Sequence, residues 1–341
     1  MKSLCESAES VPDLNYVKPD SKRALTGTET ASFEVKNDEG EGCQRELEVT
    51  FALDGKVAYV DNLLSEAECQ VLCDAVDKSD ALTFWSEAGR DNDKARAFRD
   101  ADTIEVHSEE IAGTMWARVE HLLNNVISVG DDYDEVNNPN WERELPGDWA
   151  PSGFNHDLLF AKYPSGGAFS PHTDGRAIHH FNRRSFRSVI IFLNDIPLNK
   201  GGGTNFYKRE ALDKLQQEKE QEGEDEGGGE EEGEGTGGRW TAPQELLTLE
   251  VSPKAGRLLV FDQDLVHEGV PPSSPLQKYI IRSDVMYSRM KPVCDSAVDR
   301  EAYALFQEAE VLGEAGQVQE SIVKFRRAIK MSPGLAEMMG H

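Results

Sequence analysis

The sequence predicts an α+β chain in which helices precede a core of short strands, folded as a sandwich or barrel, and helices return at the end. Three observations carry this. Two stretches, 65–77 and 107–124, repeat apolar residues at helical spacing. From 154 to 288 the texture changes to the short β-rich runs LLFAKY, RSVIIFLND, LLTLEV, RLLVFD and KYIIRSDVMYS, broken by Gly and Pro. Beyond Val298 the helical period resumes.

Residues 1–46 are polar and aperiodic and read as a flexible N-terminal segment, with order expected from Leu47. LEVTFALDGKVAYVDNLL alternates around Asp54-Gly55, which predicts a hairpin. Ser65 with Glu68 has capping-box form and opens a helix to about Asp77, with Cys69, Leu72, Cys73 and Val76 on its apolar face. In 107–124 the apolar positions are Ile111, Met115, Val119 and Leu122. Residues 130–152 read as a loop in which Trp141 and Trp149 pack rather than wall a pocket. Residues 218–238 hold ten acids and one Lys, a charge of −9. Such a segment cannot bury apolar surface, so a solvated, disordered insertion is expected, with a docking surface for a basic protein partner as the alternative.

In the tail, Leu305, Ala309 and Leu312 share a face, Gly316 interrupts, Ile322, Phe325, Ala328 and Ile329 resume, and Pro333 stops the helix. This helical hairpin resembles one tetratricopeptide repeat, with Ser321 where Ala is usual. One repeat forms no superhelical groove, so a partner-binding role does not follow from it. The organisation expected is a flexible 1–46, a main domain over 47–291 and the hairpin over 298–341.

With 341 residues there is ample length for a sizeable core. Lys and Arg number 36 against 63 Asp and Glu, a net charge of −27, which argues against nucleic acid or an anionic membrane as the main partner. A basic peptide or a small molecule remains open. The five cysteines, Cys5, Cys43, Cys69, Cys73 and Cys294, are odd in number and lack a CxxC pair, so no disulfide framework is expected. Cys69 and Cys73 read as packing thiols rather than metal ligands. The N-terminus lacks an apolar signal core, and no run of about eighteen apolar residues occurs. A reducing, cytoplasmic setting is expected, with the nucleus left open.

The sharpest chemical signal is His172-Thr173-Asp174 followed by His267. On an extended segment, residues two apart share a face, so His172 and Asp174 project together and a later strand-end His can complete a triangle. Two imidazoles and one carboxylate on one face of Fe(II) leave the opposite positions for substrate, cosubstrate and oxygen. Lys278 and Arg282 follow His267 by 11 and 15 residues. Either cation suits the free carboxylate of a dicarboxylate cosubstrate, Lys as a point charge and Arg as a fork. The bland alternatives are a solvated edge-strand Lys278 and an Arg282 paired with Asp284 or Asp262. His179 and His180 read as a surface loop rather than a second metal site, and Asn155 and Arg176 as weaker candidates for a substrate channel.

These residues sit in longer motifs. VAYVDNLLSEAECQVL, GFNHDLLFAKYPSGGAFSPHTDG, RSVIIFLND with GGGTNF, SPKAGRLLVFDQDLVHEG and KYIIRSDVMY occur in this order between Val57 and Arg289. In that arrangement the chain resembles the prolyl 4-hydroxylase-like branch of the Fe(II)/2-oxoglutarate dioxygenases. The resemblance implies a double-stranded β-helix, or jelly-roll, with helices packed on one side. It implies His172, Asp174 and His267 as iron ligands, Lys278 as the 2-oxoglutarate cation with Arg282 as the alternative, and Tyr163 as a hydrogen-bond partner of the cosubstrate. Lys278 stands one residue later than that branch usually places it. The implied chemistry consumes 2-oxoglutarate and O₂, hydroxylates a substrate and releases succinate and CO₂, with ascorbate as reductant. The substrate is a protein, prolyl residues included, or a small molecule. A catalytically silent scaffold acting as an adaptor through the acidic segment and the tail is the competing expectation.

Overall fold

The computed structural model describes residues 27–36, 42–85, 93–130, 145–214 and 241–338. The acidic segment 218–238 and Trp141 lie outside these residues. The chain divides into two units. The first comprises Met1–Leu122, Gly153–Gly175 and Phe186–Val285, and the second Leu123–Ser152, Arg176–Ser185 and Met286–His341.

The strands are β1 (Gly27–Lys36), β2 (Gly42–Ala52), β3 (Val57–Asp61), β4 (Thr83–Phe84), β5 (Asp102–His107), β6 (Ile127–Val129), β7 (Gly147–Phe154) and β8 (Asp157–Tyr163). They continue as β9 (Phe169–His172), β10 (Ile178–His180), β11 (Arg183–Phe192), β12 (Thr204–Tyr207), β13 (Leu247–Val251), β14 (Leu258–Asp262), β15 (Val266–Gly269) and β16 (Lys278–Arg289). The helices are α1 (Glu66–Lys78), α2 (Asp93–Phe98), α3 (Glu109–Val119), α4 (Ala297–Glu314), α5 (Val318–Met331) and α6 (Pro333–Met338).

Two antiparallel sheets make the jelly-roll of the first unit. The larger runs β1-β2-β3-β14-β11-β16-β8-β5-β4, and the smaller β13-β12-β15-β9. The run RSVIIFLND shows no alternation because β11 is a central strand, flanked by β14 and β16, with Ser188 to Phe192 buried throughout. Ile190, Phe192, Leu259, Phe261 and Ile280 of the larger sheet pack with Phe206 and Val251 of the smaller, so the core lies between the sheets. Removing this apolar area from water is the main term favouring the fold.

Local chemistry explains the connections. The β2–β3 hairpin turns through Leu53, Asp54 and Gly55, all at positive φ, and Gly55 N donates to Ala52 O at 3.1 Å. Helix α1 carries the full capping box: Glu68 N donates to Ser65 Oγ at 3.1 Å and Ser65 N to Glu68 Oε2 at 2.6 Å. The other oxygen of Glu68 accepts from Arg118 Nη2 at 2.7 Å, and Arg118 Nη1 donates to Leu63 O at 2.9 Å. That ion pair ties α1 to α3 in a place where an unpaired Arg would be costly. Cys69 and Cys73 face inward as free thiols, and burial pushes each up to about 12.

Gly256 sits at φ +75, and a Cβ there would lie 1.9 Å from Leu64 O. Gly256→Ala is therefore expected to destabilise by at least about 1–3 kcal/mol from the backbone alone. That should lower the melting temperature by several degrees in a thermal scan, and an unchanged midpoint would contradict the close approach.

In the second unit, β6 pairs with β7, with Ile127 opposite Trp149. Trp149 is fully buried, its Nε1 donates to Leu145 O at 3.0 Å, and the Arg289 guanidinium lies 4.3 Å from its ring centroid. Helices α4 and α5 are joined across Gly316 at φ +76, and Ser321 Oγ donates to Ala309 O at 2.7 Å. Ala302, Phe306 and Ala328 pack with Phe181 and Leu335.

Several expectations change. Strands β1 and β2 begin within the segment read as flexible, because a strand's pairing is supplied by a partner rather than by its own composition. Residues 107–124 hold the end of β5 and an α3 that starts after Ser108, whose Oγ accepts from Ile111 N at 3.2 Å. Trp149 belongs to β7 rather than a loop. The tail's buried stripe is Ala302, Phe306 and Ala309, with Leu305 and Leu312 only partly buried and Ile322 exposed. Helix α5 does stop before Pro333, at Met331, and Pro333 then opens α6, with Leu335 N donating to Ser332 Oγ at 2.9 Å. The C-terminal helices group with residues 123–152 and 176–185 rather than standing alone after 298. Among the described residues, no helix is long and apolar enough to cross a membrane.

Candidate active site

His172 ends β9 and His267 lies in β15, and the antiparallel register sets them directly opposite one another. Their rings are 4.3 Å apart, centroid to centroid. Asp174 follows β9 by two residues and is fixed by its own N donating to Gln263 O at 3.1 Å. Its carboxylate reaches both imidazoles: His172 Nε2 is 3.7 Å from Oδ1 and His267 Nε2 is 3.6 Å from Oδ2. The ligand atoms of these three residues all lie within 4.8 Å of one another.

The ring orientations are set from behind. His172 Nδ1 bonds Ser170 O at 2.7 Å, and His267 Nδ1 bonds Leu265 O at 3.0 Å. A carbonyl only accepts, so both Nδ1 atoms carry a proton and both Nε2 atoms face Asp174. Phe169 stacks on His172 at 3.6 Å, and Phe261 meets His267 at 4.6 Å in a T-shaped contact. Burial, helped by neighbouring His172, pushes the His267 imidazole down to about 4, so it presents a neutral lone pair. Burial alone would raise the Asp174 carboxyl, but the Arg282 guanidinium leads the groups that outweigh it and hold the carboxyl well below the usual carboxylate range. Two imidazoles and one ionised carboxylate, in this geometry, fit a divalent transition metal.

Asp174 Oδ2 accepts from Ser188 Oγ at 2.5 Å and lies 3.4 Å from Arg282 Nη2. Arg282 Nη1 in turn binds Asp284 Oδ1 at 2.6 Å, and Gln263 Nε2 donates to the same Oδ1 at 2.9 Å. Of the two pairings expected for Arg282 the structure makes the one with Asp284, and Asp262 pairs with Arg187 instead, at 3.0 Å.

The three residues line a cavity of about 360 Å³ that also holds Lys278, Arg282 and Tyr163. Lys278 is buried, opposite Tyr163 in the β16–β8 register, with Nζ 4.4 Å from the Tyr163 ring centroid and 3.4 Å from Val270 O. Gly269 makes room for it, since a Cβ at 269 would stand 3.3 Å from Lys278 Nζ. Asn155 is buried away from the cavity, its Nδ2 3.5 Å from Asp284 Oδ2. Arg176, His179 and His180 belong to the second unit, and the two histidines are exposed. They join no metal-competent cluster among the described residues; the other such cluster is the surface group His107, Glu109 and His156.

Sequence reasoning missed Ser188, Gln263 and Arg99. Ser188 stands between Arg187 and the apolar run 189–193, at the head of a stretch that the pattern marks as buried. Arg99 lies in a polar stretch with no pattern to mark it.

A jelly-roll with this site defines the 2-oxoglutarate-dependent oxygenases. The phytanoyl-CoA dioxygenase (PhyH) family model matches residues 51–276, more than half of the chain. The chain belongs to that family and is a 2-oxoglutarate-dependent dioxygenase, with Fe(II) and 2-oxoglutarate the metal and cosubstrate implied. The match spans Tyr163, His172, Asp174 and His267 and ends before Lys278 and the C-terminal helices. No curated protein matches the chain.

Among solved structures, a Pseudomonas putida prolyl-4-hydroxylase is similar at 14% identity, over 69% of this chain and 92% of that one, with a TM-score of 0.38. A Trichoplax adhaerens prolyl hydroxylase, solved with a hypoxia inducible factor peptide fragment, is similar at 13% identity, over 69% and 83%, with a TM-score of 0.40. HygX from Streptomyces hygroscopicus, solved with nickel and 2-oxoglutarate, is similar at 10% identity, over 69% and 83%, with a TM-score of 0.35.

Proposed function

We propose that this chain hydroxylates an aliphatic C–H bond, with His172, Asp174 and His267 holding Fe(II) and Lys278 taking the distal carboxylate of 2-oxoglutarate. The observation that carries the reading is the pair of Nε2 atoms, each locked by its Nδ1 bond and each within 3.7 Å of Asp174. Bound iron with 2-oxoglutarate and O₂ would supply the oxidising chemistry, converting R–H to R–OH while 2-oxoglutarate becomes succinate and CO₂.

The chain's own residues position and neutralise. Gly269, beside Lys278 Nζ, lies two residues beyond His267 in β15. At strand rise that is about 6.6 Å, a span suited to a five-carbon dicarboxylate. Tyr163 stands against the same ammonium. Arg282 is the weaker anchor because Asp284 and Asp174 already occupy its guanidinium. Its role is to hold Asp174 ionised.

The test is succinate release by purified protein supplied with Fe(II), ascorbate and 2-oxoglutarate. Absence of succinate together with absence of metal-dependent 2-oxoglutarate binding would remove the proposal. Prolyl peptides and small aliphatic acids are the substrates to offer first. Ser188→Ala takes a hydrogen bond from Asp174 and is expected to weaken Mn(II) or Fe(II) affinity about 10–100-fold in a metal titration. Unchanged affinity would mean Ser188 does not orient the carboxylate.

A further inference from the structure

We infer that the substrate carries a carboxylate and that Arg99 is the group that binds it; the inference rests on the metal and cosubstrate roles proposed above. Arg99 lines the cavity of the metal-competent triad and is only 5% exposed. Its guanidinium carbon lies 4.5 Å from the Trp85 ring centroid and 4.7 Å from that of Phe169. The Phe169 ring stacks on His172, so Arg99 is two ring contacts from a candidate metal ligand. Its buried Nε has no hydrogen-bond acceptor, and among the described residues no acid forms an ion pair with it.

A buried guanidinium that, among the described residues, rests on two ring faces with its Nε unpaired is incompletely compensated. Cation–π contacts recover part of the desolvation cost, and an anion recovers the rest. The other buried cations of the cavity are different. Arg282 has Asp284, and Asp174 offsets one of the two charges of a ferrous ion. The two charges of 2-oxoglutarate then balance the remaining iron charge and Lys278. One positive charge is left, and it is that of Arg99. A monoanion fits this remainder, and a planar carboxylate matches the guanidinium fork.

The rest of the substrate is apolar. Trp85, Phe98 and Phe169 surround the guanidinium side of the cavity, with Phe98 and Phe169 in edge contact at 5.4 Å. A cavity of about 360 Å³ suits a small molecule beside the cosubstrate. The class is therefore a small carboxylic acid with an aliphatic or alicyclic body, rather than an internal residue of a polypeptide.

The test compares matched pairs: hexanoate with hexanamide, and cyclohexanecarboxylate with its amide. N-acetyl-Ala-Pro-Ala-amide serves as the neutral prolyl peptide. Binding to the full chain, loaded with Zn(II) and saturating 2-oxoglutarate, is read by ligand-observed NMR, and succinate release is measured separately with Fe(II). The expected result is carboxylate binding at least about tenfold tighter than amide binding. That preference should collapse in Arg99→Gln and return in part in Arg99→Lys. Equal binding of acid and amide by the native chain overturns the inference without any variant, and so does binding of the prolyl peptide alone or of no carboxylate. A preference that survives in Arg99→Gln also overturns it. Succinate release without a carboxylate preference sinks the Arg99 site and leaves the oxygenase reading intact. A carboxylate preference without succinate release does the reverse.

Discussion

Replacing His172 with alanine is expected to abolish succinate release and tight Fe(II) binding while the protein stays folded. Only His267 and Asp174 would remain of the three donors, and losing a ligand should cost more than the roughly 10–100-fold typical of a residue that merely orients one. The fold should tolerate the change, because His172 closes a short strand and its side chain retains 13% exposure. Asp174→Ala is a harsher variant. It removes a proposed ligand and also strips Arg282 and Ser188 of a shared partner, leaving a buried cation less compensated. The pair is therefore informative: both should lose metal in a titration, and Asp174→Ala should melt earlier than His172→Ala. Turnover within tenfold of the native chain in His172→Ala would refute the metal assignment. The competing expectation of a silent oxygenase fold serving as an adaptor requires instead that the native chain itself release no succinate.

Lys278→Met should raise the Michaelis constant for 2-oxoglutarate by two to three orders of magnitude. Breaking a buried ion pair by removing one partner costs about 3–5 kcal/mol, and each 1.4 kcal/mol is a factor of ten. Methionine keeps most of the volume under Tyr163, so the β16–β8 register should survive. Arg282→Met serves as the counterpart. Its guanidinium contacts Asp174 and Asp284, so its loss should weaken metal binding more than cosubstrate binding. A large cosubstrate effect at 282 with none at 278 would reverse the assignment. The measurement is initial rate against 2-oxoglutarate concentration at saturating Fe(II).

Much of this was legible in the chain's pattern where local chemistry decides structure. The Ser65–Glu68 box, the Asp54-Gly55 turn and the apolar runs of β8, β11, β14 and β16 each announce themselves within ten residues or so. Strands β9, β12 and β15, four residues each, are too short to show periodicity, and their existence depends on partners far along the chain. Yet the motif spacing led to His172, Asp174 and His267, which the register of β9 against β15 brings together. Arg99 was invisible for the opposite reason. KARAFRDAD carries no pattern, and nothing in it tells that Phe169 and Trp85, one of them seventy residues on, close over the guanidinium.

Phe169 bears two obligations at once. One face backs the His172 imidazole at 3.6 Å, the guanidinium of Arg99 rests on the same ring system at 4.7 Å, and its backbone bridges to that of Arg99. A smaller residue at this point would unseat a candidate metal donor and a candidate substrate anchor together. Drift at this one position is thus opposed by two independent demands, and any successful replacement must be another flat, unsaturated side chain.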